Sequence, residues 1–241
     1  MIPSSENIYE HLIAVTNRHL CARPFPEQIE RVCRLHPRAL ILREKDLPAL
    51  EYEALAARVM EICAEYEVPC ILHSYPESAV KLGCRAIHMP LTMLEHYHSV
   101  YTGDSEENAA DGDRSGVFSG NTGDGAGAAK PAKKTGASLM RQAVGRLHKD
   151  FDVIGVSVHS APEAEWAEQL GATYLTAGHV FATGCKEGIP PRGLGFLRET
   201  AKSVSIPVYG IGGIGISAEQ LEEILSCGAA GGCAMSAMMK I

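Results

Sequence analysis

The sequence predicts a (β/α)8 barrel of the TIM type, an α/β fold forming one domain over residues 1–241. Three observations point to it. Eight short apolar runs alternate with stretches in which apolar residues recur every three or four positions, the periodicity of helices. Several of the runs are almost continuously apolar, as parallel strands are when helices cover them. Once one low-complexity block is set aside, roughly 200 residues remain, the small end of the usual range for such a barrel.

The strands fall at HLIAVT (11–16), RALILR (38–43), PCILH (69–73), RAIHM (85–89), DVIGVSV (152–158), ATYLTAG (172–178), IPVYGI (206–211) and AGGCAMS (230–236). Helical periodicity lies between them, as in Leu55, Val59, Met60 and Cys63, or Leu221, Ile224 and Leu225. A doubly wound open sheet is the competing architecture. Against it, Asn17-Arg18-His19-Leu20 follows the first strand where a dinucleotide fold would carry a Gly-x-Gly-x-x-Gly turn. After strand four, residues 102–137 hold Val117 and Phe118 as their only sizeable apolar side chains, too few to offset the entropy of ordering the segment. The expectation there is a disordered insertion within or beside the fourth helix. A shortened or absent final helix is expected after strand eight.

Composition narrows the function. Lys and Arg number 22 against 29 Asp and Glu, a formal charge of -7, so the chain lacks the cationic surface that binding to nucleic acid or anionic lipid requires. No run approaches the ~18 apolar residues of a membrane span, and no secretory leader is evident, so a cytoplasmic location is expected. Eight cysteines show no Cys-x-x-Cys pair and no zinc-like spacing, which predicts reduced, mostly buried thiols and no metal site. A second copy of the chain is a candidate partner, because a barrel lacking its last helix leaves apolar surface for it to cover.

In such a barrel the chemistry sits at the carboxyl ends of the strands. Those ends carry Arg43-Glu44-Lys45, His73-Ser74, His88-Met89, Ser157-Val158-His159, Gly178-His179, Gly212-Gly213 and Met235-Ser236. Gly212 and Gly213, with Met235 and Ser236 opening toward a helix, form a candidate phosphate site, since loops seven and eight often offer backbone N–H groups to phosphate. His179 is the candidate acid/base group, because an imidazole both takes and returns a proton near neutrality. Lys186, in a loop flanked by Gly184 and Gly188, is placed to reach an anionic substrate.

Taken together, IGVSVHSAPEAEWAEQLGATYLTAGHVFATGCKEGIPPRGLGFL, PVYGIGGI and AAGGCAMSAMM closely resemble the thiamine phosphate synthase and TenI family. The likeness is strong over residues 152–239 and collinear but weaker over 11–95, where LIAVTNR and LREK match the first two strands. The synthase branch carries a Gln where this chain has Ile41, Asn-Asp in place of His73-Ser74, and a further acidic residue after a His-x-Gly-Gln motif, here His88-Met89-Pro90-Leu91-Thr92. Loss of both acidic residues removes the oxygen ligands that magnesium needs beside a diphosphate. Gly178-His179-Val180-Phe181, Thr183-x-Cys185-Lys186 and Arg192-Gly193 instead resemble the TenI branch. That resemblance implies a thiazole tautomerase, an isomerase that aromatises a carboxythiazole phosphate with His179 moving the proton and no cofactor. It places the phosphate on Gly212, Gly213, Met235 and Ser236. Arg43, Lys45, Ser157, His159, Thr183 and Lys186 are the remaining substrate contacts expected. The alternatives are a magnesium-dependent thiamine phosphate synthase, which joins a pyrimidine diphosphate to the thiazole phosphate, and a non-catalytic binder of thiazole phosphate.

Overall fold

The computed structural model describes residues 7–102, 144–184 and 188–241. Eight strands, β1 (Leu12–Val15), β2 (Ala39–Leu42), β3 (Cys70–His73), β4 (Ala86–Pro90), β5 (Val153–Val158), β6 (Tyr174–Gly178), β7 (Val208–Ile211) and β8 (Gly231–Ala234), are all parallel and close into a barrel in sequence order. The pairing of Ile13 with Cys233 and Ala14 with Ala234 joins β8 back to β1, which excludes an open sheet. Each strand lies within a run expected to form it, save that β4 extends one residue further, to Pro90.

The period of two along each strand makes two cores. Ile13, Val15, Ile41, Ile71, Tyr174, Tyr209 and Cys233 fill the barrel. Their neighbours Leu12, Ala14, Leu40, Leu42, Leu72 and Leu175 point outward and pack under the helices. Burial on both sides is why the strands read as unbroken apolar runs.

The outer ring is α1 (Phe25–Cys33), α2 (Ala49–Glu65), α3 (Pro76–Lys81), α4 (Leu91–Thr102), α5 (Ala161–Gln169), α6 (Gly193–Ser203), α7 (Ala218–Ser226) and the short α8 (Ser236–Met239), with residues 144–150 also helical. Local chemistry sets several starts. The hydroxyl of Ser160 accepts from the Glu163 N–H at 3.2 Å, and that of Ser217 from the Gln220 N–H at 3.3 Å, so α5 and α7 begin with capped N–H groups. Pro26, Pro76 and Pro162 occupy first-turn positions, where the missing N–H has no intrahelical acceptor to lose. Of the expected insertion at 102–137, Thr102 closes α4 and the rest lies outside the described residues.

The final helix is indeed short, four residues, and it is fastened rather than frayed. The fully buried Gln28 side chain on α1 donates to the Met238 carbonyl at 2.8 Å, and Arg23 donates to the Ile241 carbonyl. Met238 and Met239 are fully buried against the core. The seven described cysteines are free thiols, five of them buried. Among the described residues no helix is long and apolar enough to cross a membrane.

Candidate active site

The two-residue alternation that fills the barrel also delivers polar side chains to its mouth. On β2, Ile41 faces inward, so Arg43 and Lys45 emerge over the opening, and both line a cavity of about 360 Å³ there. Glu44, between them, turns the other way and is 2% exposed. It accepts from the Thr16 hydroxyl at 2.7 Å, from the Arg18 N–H at 3.1 Å and from Arg18 Nη1 at 3.0 Å. Thr16 Oγ1 also accepts from the Arg43 N–H at 2.9 Å, which ties the start of the cationic loop to β1. Lys45 is held below its ordinary pKa by desolvation and by the neighbouring Arg43.

β3 carries His73 to the same mouth, and β5 and β6 bring Ser157 and Thr176. Below them the buried His88 bridges Tyr174 OH at 2.9 Å through Nδ1 and Ser157 Oγ at 2.9 Å through Nε2. Burial, and then the like charges of Arg43 and Lys45, push the His88 ring down to about 3. His73 is pushed down to about 2, by burial first and then by His88, Lys45 and Arg43, so both rings are neutral at physiological pH.

His179 follows β6 and lines the cavity at 4% exposure. Its Nε2 lies 3.2 Å from the Ile189 carbonyl oxygen. A carbonyl only accepts, so the neutral ring carries its proton on Nε2 and its lone pair on Nδ1. The backbone beside it is clamped twice. Val180 and Phe181 donate to Ile211 and Gly212 at 2.9 and 3.0 Å, while Arg192 and Gly193 donate to the carbonyls of His179 and Val180 at 3.0 Å. The Arg192-Gly193 pair thus holds the histidine's loop in place.

Gly212, Gly213, Met235 and Ser236 lie together at the ends of β7 and β8 and all line the cavity. Two features of this cluster bear on how it could hold an anion. Gly212 has φ +97°, and a Cβ there would stand 2.3 Å from His179 Cβ and 2.9 Å from its Cα, so its glycine is demanded first by the histidine's own loop. The helix after β8 has only four residues and no side-chain cap, too short for an appreciable dipole. An anion held there relies on individual donors, the N–H groups of Gly213 and Ser236 and the Ser236 hydroxyl.

Of the other expected contacts, Thr183 lines the cavity. His159 stands at the exposed rim, its N–H donating to Glu163 at 2.7 Å and its Nδ1 3.4 Å from the same carboxylate. Lys186 and Cys185 lie outside the described residues. Sequence reading placed His73 and His88 at strand ends without giving them a role, and passed over Thr176 and Tyr174. The signal was present: each is a polar or hydroxyl-bearing residue on the inward parity of an otherwise apolar strand.

Among the described residues, the lining contains no Asp or Glu. Among the described residues, no three of His, Cys, Asp and Glu are placed to hold a metal ion. Two cations, three histidines and several hydroxyls form a pocket for a small anionic molecule.

The profile of the family described as thiamine monophosphate synthase matches residues 12–97 and 135–238. The chain belongs to that family. The match breaks between 97 and 135, around the segment expected to be an insertion. The putative thiamine-phosphate synthase 2 of Aquifex aeolicus is 26% identical over 203 residues, 84% of each chain. The thiamine-phosphate synthase of Pyrococcus abyssi is 45% identical over 87 residues, 36% of this chain and 41% of the relative. The solved thiamine phosphate pyrophosphorylase from Pyrococcus furiosus superposes with a TM-score of 0.65 at 23% identity, covering 97% of this chain and 89% of that one, a likeness of fold. Membership in this family makes the chain an enzyme of thiamine biosynthesis. These relatives carry the synthase name, which favours the synthase alternative over the tautomerase branch that the strand-six motif suggests.

Proposed function

We propose that the protein is a thiazole tautomerase that aromatises a carboxythiazole phosphate by proton transfer through His179. The observation that carries this reading is the character of the cavity, whose described residues offer cations, histidines and hydroxyls but no carboxylate. The proposed substrate bears two anionic groups, a phosphate and a carboxylate. The donors of Gly213 and Ser236 suit the phosphate, and Arg43 with Lys45 suits the carboxylate across the mouth. His179, clamped between the β7 turn and the start of α6, would take the proton from one position of the ring system and return it at another. The substrate loses no group and its oxidation state is unchanged. A positioned acid/base of this kind contributes about 10² to 10⁴ in rate.

The synthase is the second reading, favoured by the names of the relatives. That activity implies magnesium, a hard cation that seeks oxygen ligands. The residues present do not fit it. Glu44 is consumed by Thr16 and Arg18, Asp46 is paired with Arg18 and His19, and among the described residues the cavity lining contributes no carboxylate.

Two incubations separate the readings. With the tautomer phosphate and a chelator present, the tautomerase accelerates aromatisation. With thiazole phosphate, pyrimidine diphosphate and magnesium, it forms no thiamine phosphate. Magnesium-dependent condensation without aromatisation would reverse the assignment.

A further inference from the structure

We propose that His88 and Tyr174, neither of which lines the cavity, are positioning residues that fix the Ser157 hydroxyl as a hydrogen-bond donor into it. The site then selects a ligand that presents an acceptor to β5. The argument is a count of protons along one chain of contacts. Tyr174 is 6% exposed, and its hydroxyl has one hydrogen-bond partner among the described residues, His88 Nδ1 at 2.9 Å. A buried phenol that only accepted from that nitrogen would leave its own hydrogen without an acceptor, so Tyr174 donates and Nδ1 is the bare nitrogen. The neutral imidazole must then carry its proton on Nε2, which lies 2.9 Å from Ser157 Oγ. Ser157 accepts a hydrogen bond from that N–H, which stands farther off, at 3.5 Å, from Thr176 Oγ1, and it accepts again from Thr176 Oγ1 at 3.2 Å. With both of its accepting positions used from within the barrel, Ser157 has only its own O–H to offer the cavity it lines.

Two features show that the contact is built rather than incidental. Gly155 leaves the space in which it forms, since a Cβ there would lie 2.3 Å from Tyr174 OH and 2.4 Å from His88 Nδ1. His88 also stacks on His73, with ring centroids 5.5 Å apart, so its plane is set from a second side.

The ligand to which Ser157 donates, the carboxylate or ring nitrogen of a carboxythiazole phosphate, rests on the tautomerase reading; the direction of the donor does not. The experiment therefore has two arms. In the first, ligand-free protein carrying ¹⁵N-labelled histidine is examined by NMR. The His88 resonances, assigned by their loss in His88→Gln, should show a protonated Nε2 and a bare Nδ1, and Tyr174→Phe should shift the balance toward the other tautomer. A proton on Nδ1 in the unsubstituted protein overturns the proposal.

In the second arm, carboxythiazole phosphate binding is measured by calorimetry in a double-mutant cycle. Ser157→Ala and Tyr174→Phe should each weaken binding about fivefold, the scale of one hydrogen bond, and the double variant should be no weaker than Ser157→Ala alone. Fully additive losses overturn the proposal, because a merely structural role for Tyr174 would not depend on Ser157. If the tautomer is as stated but the unsubstituted protein fails to bind the thiazole, the functional reading falls and the donor relay stands.

Discussion

Gly212→Ala tests whether the β7 turn exists to place His179. Gly212 sits at φ +97°, a conformation that costs a residue with a side chain about 1–2 kcal/mol. The new Cβ would also stand 2.3 Å from His179 Cβ and 2.9 Å from its Cα. Real Cβ contacts begin near 3.4 Å, so the two loops must part by about 1 Å, and misplacement on that scale can reduce turnover about a hundredfold. The expected outcome is a folded protein that is less stable by about 2–4 kcal/mol, strain and overpacking together, with aromatisation of the tautomer phosphate reduced about a hundredfold. Urea unfolding reads the first quantity and NMR of the substrate reads the second. Gly215→Ala is the control, because its Cβ would meet only Gln220 Oε1 at an ordinary 3.7 Å. If Gly212→Ala kept its turnover within threefold of the unsubstituted protein, the claim that this turn positions the histidine would be wrong.

Three further outcomes follow from the same geometry. His73 and His88 stay neutral in the fold, pushed down to about 2 and about 3, but protonate near 6.5 once unfolded; their stabilisation is complete above that value and is lost as pH falls from about 6.5 toward 3, each approaching about 1.4 kcal/mol per pH unit. Urea titrations from pH 7 to 4.5 should show a shallower slope in His88→Gln, and an unchanged slope would contradict the buried neutral ring. Thr16→Val removes a donor to the buried Glu44 and the acceptor for the Arg43 N–H, so it should cost about 1–3 kcal/mol in unfolding free energy; a loss below 0.5 kcal/mol, on the order of a surface change, would show Glu44 held by Arg18 alone. Gln28→Leu unfastens the Met238 carbonyl and should lower stability by about 1–3 kcal/mol while increasing hydrogen exchange in the last helix, whereas unchanged exchange would show that packing of Met238 and Met239 suffices.

Much of the barrel was legible because burial on both faces leaves strands that read as unbroken apolar runs, with helical periodicity between them. The strand-end rule then located Arg43, His179 and the Gly212 to Ser236 cluster at one mouth. What the sequence could not express is direction across the barrel. Glu44 stands at the same strand end as Arg43 and Lys45, but the period of two turns it away into a bond with Thr16. Gly212 reads as a ligand-facing glycine, yet its nearest neighbour is His179, some thirty positions away in the chain and met only through the β6–β7 pairing. The His88, Tyr174 and Ser157 chain joins three strands through side chains 69 and 86 residues apart, a relation that no local spacing encodes.

The central claim, that His179 moves a proton on a thiazole phosphate, is tested most directly by following loss of the tautomer phosphate by NMR with unsubstituted protein, with His179→Ala and with no protein. The account predicts rapid aromatisation by the unsubstituted protein and a fall to the background rate in His179→Ala, with binding of the aromatic product retained. Equal rates in the unsubstituted protein and in buffer would contradict it, and retained binding with no turnover in either protein would mark a thiazole phosphate binder instead.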